Sequence, residues 1–274
     1  MKTHSISLIG KRDNNEDKHK IIINMDNNDK SLAPVNFFAV FDGHGGKNVS
    51  SYLEENYHKY FVNKFMDLNY GKYNSMINNF KKTHEHIQTK LEDKFKNISY
   101  TVGSTSLACL FYKKGNCINY YISNVGDCRA VLCNQYNKAI QLSVDHKPNS
   151  VDEKNRINQL GGKIYFDGYD WRVGNLSVSR AFGDIDSKPF VSHSPDVFKY
   201  SLSPQDKFLI LACDGLWDVF SNQKAINFVL SKMKNMNIEN NNKRNRNNIA
   251  QMLANEAIEI GSTDNISVVI IFFK

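Results

Sequence analysis

Phe37-Phe38-Ala39-Val40-Phe41-Asp42-Gly43-His44-Gly45-Gly46 is an apolar run that stops on a carboxylate. It reads as a buried strand delivering Asp42 to the edge of a core. The same punctuation recurs along the chain. Phe208 to Cys213 ends at Asp214-Gly215, Ile118 to Val125 runs into Gly126-Asp127, and Ile266 to Phe273 begins just after Asp264-Asn265. Asp-Gly after an apolar strand is also a common hairpin turn. Here, however, His44-Gly45-Gly46 and Leu216-Trp217-Asp218 each lead into a helix-like segment, and neither resembles a short return strand. Four aspartates brought to one place repel one another, and cations among them relieve that repulsion. The pattern points to a metal site and to catalysis.

With 274 residues, 41% of them hydrophobic and including 17 Phe and 13 Tyr, the chain suits one globular domain over 1–274. No window approaches the roughly 20 consecutive apolar residues of a membrane span. Met1-Lys2-Thr3-His4 carries neither an apolar signal segment nor a Met-Gly start, so the expectation is an intracellular protein, cytoplasmic or nuclear. Nothing in the sequence forces oligomerisation, and a monomer is expected. Cys109, Cys117, Cys128, Cys133 and Cys213 form no C-x-x-C pair and read as small buried hydrophobes kept reduced. The net charge of +7 favours anionic partners. Its basic residues are scattered rather than banked on one helix, so a phosphorylated protein suits the charge as well as nucleic acid does.

His4 to Ile9 reads as a strand, with Lys20 to Ile23 as a hairpin partner. Val49, Tyr52, Leu53, Tyr57, Tyr60, Phe61 and Phe65 recur at helical spacing, and a second amphipathic helix carries Met76, Phe80, Ile87, Leu91 and Phe95. His84 and His86 read as solvent-facing, off that stripe. Val102 to Tyr112 pairs with Ile118 to Val125, and Arg129 to Cys133 with Ala139 to Leu142. Ser150-x-x-Glu153 matches a capping box for a helix over Val151 to Leu160, stopped by Gly161-Gly162. Residues 163–189 lack periodicity and read as an irregular surface excursion. Ala225 to Met233 and Ile249 to Ile260 read as helices around a polar loop, 235–248. Consecutive strands with short turns argue for antiparallel sheets, in an α/β sandwich with two sheets inside and helices outside.

Carboxylates, a backbone carbonyl and water are hard oxygen ligands, suited to Mg²⁺ or Mn²⁺ rather than zinc. Asp42 on its tight turn can bridge two ions, Gly43 can bring its carbonyl close to one, and Asp214 and Asp264 can complete the protein ligands. Two ions about 3.5–4 Å apart lower the pKa of a shared water. His44 is placed to donate a proton to a leaving oxygen. Arg12 can grip a phosphate with its fork of donors.

At this point the chain resembles the metal-dependent serine/threonine protein phosphatases of the type-2C (PPM) family, from Arg12 to Asn265. The resemblance rests on Arg12-Asp13-Asn14-Asn15-Glu16-Asp17 and, most specifically, Phe41-Asp42-Gly43-His44-Gly45-Gly46. Gly103-Ser104-Thr105, Asn124-Val125-Gly126-Asp127-Cys128-Arg129 and Asp145-His146-Lys147-Pro148 follow in the family's order. Then come Ser179-Arg180-Ala181-Phe182-Gly183-Asp184, Ala212-Cys213-Asp214-Gly215-Leu216-Trp217-Asp218 and Thr263-Asp264-Asn265. It departs mildly at Asn15, where methionine is common, and at Cys128, where serine is.

The resemblance implies a four-layer α-β-β-α sandwich with two central, mainly antiparallel sheets and a dinuclear site at one end. It makes Asp42 the bridging ligand, Gly43 a carbonyl ligand, and Asp214 and Asp264 direct ligands. Glu16 and Asp17 would hold metal-bound water, and Asp127 and Asp218 with Asp214 a weaker third ion. Arg12 would bind the substrate phosphate, His44 would be the general acid, and 163–189 a variable flap. The implied reaction is hydrolysis of phosphoserine and phosphothreonine in proteins by a metal-activated water, in line and without a covalent intermediate. Arg180 and Asp184 are expected to form an internal ion pair. Two rivals remain on the sequence: a catalytically dead member that binds a signalling partner, which would be expected to lack metal carboxylates, and a basic nucleic-acid binder, which is not favoured.

Overall fold

The structure is a computed structural model and describes residues 1–25, 35–63, 73–95, 100–239 and 248–273. The chain begins with β1 (Lys2–Leu8), β2 (Lys18–Met25), β3 (Val35–Phe41) and β4 (Gly43–His44), then helices α1 (Asn48–Asn63) and α2 (Tyr73–Lys94). Next come β5 (Gly103–Ser104), β6 (Ser106–Lys114), β7 (Cys117–Val125), β8 (Arg129–Cys133), β9 (Ala139–Gln141) and α3 (Val151–Gln159). Short strands β10 (Ile164–Phe166), β11 (Trp171–Val173) and β12 (Phe182–Gly183) precede β13 (Asp196–Ser201) and β14 (Phe208–Ala212). Helices α4 (Asp214–Trp217), α5 (Asn222–Glu239) and α6 (Ile249–Glu259) lead to β15 (Ile266–Phe272).

Two five-stranded antiparallel sheets form the centre, in the orders β1-β15-β14-β8-β9 and β13-β7-β6-β3-β2. The continuous apolar runs are explained by burial on both faces, because side chains alternate along a strand. Phe38 and Val40 of β3 meet Leu209 and Leu211 of β14 and Val269 and Ile271 of β15 between the sheets. Phe37, Ala39 and Phe41 face the other way, onto Leu53, Tyr57 and Phe61 of α1 and Phe80 and Ile87 of α2. Phe208 and Ile210 with Val268 and Ile270 likewise pack on Ile226 and Val229 of α5 and Leu253 of α6. The result is the expected helix-sheet-sheet-helix layering.

Several local expectations change. β1 pairs with β15 and β2 with β3, so the two belong to different sheets and are not a hairpin. β1 finds a long apolar partner at the far end of the chain and β2 finds one in the strand that follows it, which pairing with each other would forgo. His84 is fully buried, because residues 80, 84, 87 and 91 follow the helical repeat and lie on one face. Its Nδ1 donates to the His193 carbonyl at 3.1 Å and its Nε2 accepts from Tyr57 at 2.8 Å; burial pulls its pKa down to about 3 and keeps the ring neutral. His86 is half-buried against Tyr60. Helix α5 continues to Glu239, so 235–239 of the expected polar loop is helical; 240–247 lies outside the described residues. The 163–189 excursion contains the β10–β11 hairpin and sends Val173, Val178 and Ala181 into a small apolar cluster with Ile157 of α3. Cys117 is exposed, unlike Cys109, Cys128, Cys133 and Cys213.

Helix α3 forms where expected, but without the capping box: Ser150 makes no side-chain cap bond. Glu153 turns instead to arginines. Arg180 Nη2 donates to its Oε1 at 2.7 Å and Arg156 Nη2 to its Oε2 at 2.8 Å. Arg180 also donates to Asp196 at 2.9 Å, and His146 Nε2 donates to the same carboxylate at 3.1 Å. Charge-assisted bonds outcompete a backbone amide for a buried carboxylate. Burial would raise the Glu153 pKa, but the bonds from Arg180 and Arg156 hold it at about 2. The His146 bond, with Arg180 nearby, brings Asp196 to about 2 against its burial. Both depressed carboxyls give stability that is present above the ordinary carboxylate range and is lost as pH falls toward 2. Glu153→Gln should cost about 3 kcal/mol in urea unfolding at neutral pH and flatten the loss of stability on acidification. A change within about 0.5 kcal/mol, as for an exposed site, would contradict this.

Candidate active site

Antiparallel register decides which strand ends meet. β6 lies between β3 and β7, so those two run the same way and end at one edge. Lys18 pairs with Phe41, so β2 begins there. In the other sheet the end of β14, Ala212, faces Val268 near the start of β15 and Arg129 at the start of β8, while Leu8 faces Ile266. The loops at these ends carry Arg12, Glu16, Asp17, Asp42, Asp127, Asp214 and Asp264. They surround a cavity of about 410 Å³ lined by all of these except Asp17, together with Gly43 and His44. Asp218, at the end of α4, is exposed and lines a different hollow with Phe220, Lys224 and Phe228.

Carboxylate oxygens of Asp42, Asp127 and Asp214 all lie within 4.8 Å of one another. Oxygens of Asp17 and Asp42 and the sulfur of Cys213 form a second such group. Burial, then the charges of Asp17, Asp214, Asp127 and Asp264, push the Asp42 pKa well above the usual range. Asp214 is pushed up similarly by burial and Asp127, against Lys147. Both carboxylate oxygens of Asp17 are buried without a hydrogen-bond partner, and burial raises its pKa to about 6. Although Asp218 is exposed as a residue, its carboxyl is partly screened from water, and this, with Asp127, Asp170 and Asp264 and against Lys147, raises its pKa. Orphaned and mutually repelling oxygens fit hard divalent cations. Gly43 fits too, since a Cβ there would lie 2.4 Å from the Glu16 carbonyl; only glycine lets that backbone pass so close.

Neighbouring side chains hold these loops. Thr105 Oγ1 accepts from the Asp42 amide at 3.1 Å, and its own amide donates to the Asp42 carbonyl at 2.8 Å. Asn265 Oδ1 accepts from the Glu16 amide at 2.8 Å, and its Nδ2 donates to the carbonyls of Ile9 and Asn14. The loop bearing Arg12 and Glu16 is thereby tied to the loop bearing Asp264. Arg12 Nη2 donates to Asp264 Oδ2 at 2.7 Å across an exposed rim. Lys147 donates to Asp127 and stands 4.0 Å from Asp214. His44 Nε2 bonds Asp184 Oδ2 at 2.7 Å. Partial burial lowers the His44 pKa, but the bond and charge of Asp184, with Asp127 and Glu16, raise it overall.

The sequence model of the family described as protein phosphatase 2C matches residues 2–266. The chain belongs to the protein phosphatase 2C family. A PP2C-like domain-containing protein of Acanthamoeba polyphaga mimivirus is 48% identical over 171 residues, covering 57% of this chain and 95% of its own. Probable protein phosphatase 2C 7 of Oryza sativa subsp. japonica is 37% identical over 273 residues, or 97% of this chain. The chain spans 64% of that rice protein and 57% of a probable protein phosphatase 2C of Arabidopsis thaliana. A crystal structure of serine-threonine phosphatase 2C from Toxoplasma gondii shares the fold, with TM-score 0.77, 24% identity, 99% of this chain and 94% of that chain.

The expected ion pair between Arg180 and Asp184 does not form: Arg180 goes to Glu153 and Asp196, and Asp184 goes to His44. Lys147, Thr105, Asn265 and Asp184 stand inside the family motifs, yet nothing local in the sequence shows what they touch, because each partner lies in a distant segment. Two thermal measurements follow from the raised carboxyl pKa values. Metal-free Asp42→Asn should melt above the metal-free parent, because an ionised carboxylate leaves a repulsive cluster. Mn²⁺ at about 100 times its Kd should stabilise the parent by about 2.7 kcal/mol and leave Asp42→Asn almost unmoved. A metal-free variant that melts lower and still responds fully to Mn²⁺ would contradict the cation assignment.

Proposed function

We propose that the protein is a Mg²⁺- or Mn²⁺-dependent phosphoprotein phosphatase that hydrolyses phosphoserine and phosphothreonine. The observation that carries this reading is the group of carboxylates of Asp42, Asp127 and Asp214 in one cavity with Arg12 and His44. Asp42, the Gly43 carbonyl, Asp214 and Asp264 would hold two ions, Glu16 and Asp17 their waters, and Asp127 and Asp218 with Asp214 a weaker third. Bound there, the ions supply a water of lowered pKa and neutralise charge on the phosphoryl oxygens.

The chain's own residues do the rest. Arg12 is exposed enough to turn its fork of donors from Asp264 to a phosphate at the rim. His44 faces the cavity and gives a proton to the seryl or threonyl oxygen as it leaves. Water attacks phosphorus in line, on the face opposite that oxygen, so no phospho-enzyme forms. A thiol route has no support: Cys213 is buried, and burial with the charges of Asp17 and Asp42 pushes its pKa well up.

Hydrolysis of a phosphoserine peptide and of 4-nitrophenyl phosphate, with Mn²⁺ and with EDTA, tests the reading. Turnover should require Mn²⁺ and vanish in Asp214→Ala. Arg12→Ala should raise KM for the peptide on the order of tenfold, with a smaller change in kcat. Undiminished turnover in EDTA, or in Asp214→Ala, would refute the reading.

A further inference from the structure

Among the described residues a third, small sheet joins three strands from distant parts of the chain, in the order β12-β5-β4. Gly103 is in its middle strand, flanked by His44 on one side and Gly183 on the other. Asp184 follows Gly183 and reaches over Gly103 to His44. That reach needs a glycine beneath it. A Cβ at Gly103 would lie 2.0 Å from Asp184 Oδ2 and 2.3 Å from His44 Nε2.

The backbone around Asp184 is held for this purpose. Gln88 of α2 donates to the Gly183 carbonyl at 3.2 Å and accepts from the Gly183 amide at 3.0 Å. The Asp184 amide donates to the Val102 carbonyl at 3.3 Å. Asp184 has φ 44°, a left-handed conformation that few side chains other than Asn and Asp adopt readily. Its side chain is 1% exposed. Burying a carboxylate is costly unless it is paired, and here its partner is the imidazole that opens to the cavity.

We infer that Asp184 is the positioning residue for His44: accepting the Nε2–H bond, it fixes the ring's rotation and leaves Nδ1 to serve the leaving oxygen. This rests on the reading of His44 as the acid. As water's oxygen bonds to phosphorus, its protons leaving with the released phosphate, the bond from phosphorus to the seryl or threonyl oxygen breaks and that oxygen keeps the electron pair. It takes the proton from Nδ1, while Nε2 keeps its proton toward Asp184. The imidazole is then neutral, with its remaining proton already on the bonded nitrogen.

The test compares the parent, His44→Ala, Asp184→Asn and the double variant with Mn²⁺, on 4-nitrophenyl phosphate and on a phosphoserine peptide. The aryl ester's leaving group needs little protonation; the serine alkoxide needs it fully. Asp184→Asn keeps a residue suited to the left-handed backbone and should lose about 10²-fold in kcat/KM on the peptide, at least about tenfold more than on the aryl ester. The double variant should be no worse on the peptide than His44→Ala alone, since both changes remove one function. Gly103→Ala, which wedges the pair apart, should show the same preference for the aryl ester. Equal losses on both substrates in Asp184→Asn, or additive losses in the double variant, would overturn the inference while His44→Ala remains selective. If His44→Ala itself is not selective, the acid reading falls and takes this inference with it. A parent without Mn²⁺-dependent turnover would sink the phosphatase reading and this inference together.

Discussion

Like charges are held close at a shared strand end, and the architecture around them answers to that repulsion. β3, β7 and β14 are buried on both faces, and a one-residue slip would exchange every side chain between two cores. Their registers are therefore locked, and so is the convergence of Asp42, Asp127 and Asp214 beyond their ends. The fold imposes the repulsion, and Lys147 and Arg12 offset part of it from the flanks. Ions at the centre would offset the remainder, so the folding topology and the proposed chemistry make the same demand.

Beneath the charged layer, neutral and paired groups keep the loops in place. Arg129 forks onto Asp145, bonds Asn222 at 2.7 Å and lies over the Trp217 ring. It thereby joins the segment before Lys147 to α4, which begins with Asp214. The chain of Arg156, Glu153, Arg180, Asp196 and His146 ends on the Gly126 amide, which donates to His146 Nδ1 at 3.1 Å. Asp127 is the next residue. Such networks fix position by geometry rather than by adding charge to the cavity.

The layers and most strands were legible in the sequence, because an apolar run buried on both sides announces itself. The carboxylates were legible for the same reason: each one ends or precedes such a run. What could not be read was long-range choice. β1 pairs with the last strand of the chain, which leaves β2 to pair with β3, the next in sequence. Glu153 has the spacing of a capping box, but the nearer competitors in space were guanidinium groups. His84 reads as lying off the apolar stripe of its helix, yet its position follows the helical repeat, and Tyr57, Ser123 and His193 satisfy its nitrogens. The motif that holds Arg180 and Asp184 reads as an internal ion pair, whereas the small sheet carries Asp184 to His44.

Diffraction from a Mn²⁺-soaked crystal, with anomalous differences collected at the manganese edge, would show whether cations occupy the carboxylate cluster. Two strong peaks are expected within the carboxylate cluster, where Asp42, the Gly43 carbonyl, Asp214 and Asp264 would hold the ions. A cluster with no manganese peak at saturating Mn²⁺, or peaks confined to other surfaces, would contradict that expectation.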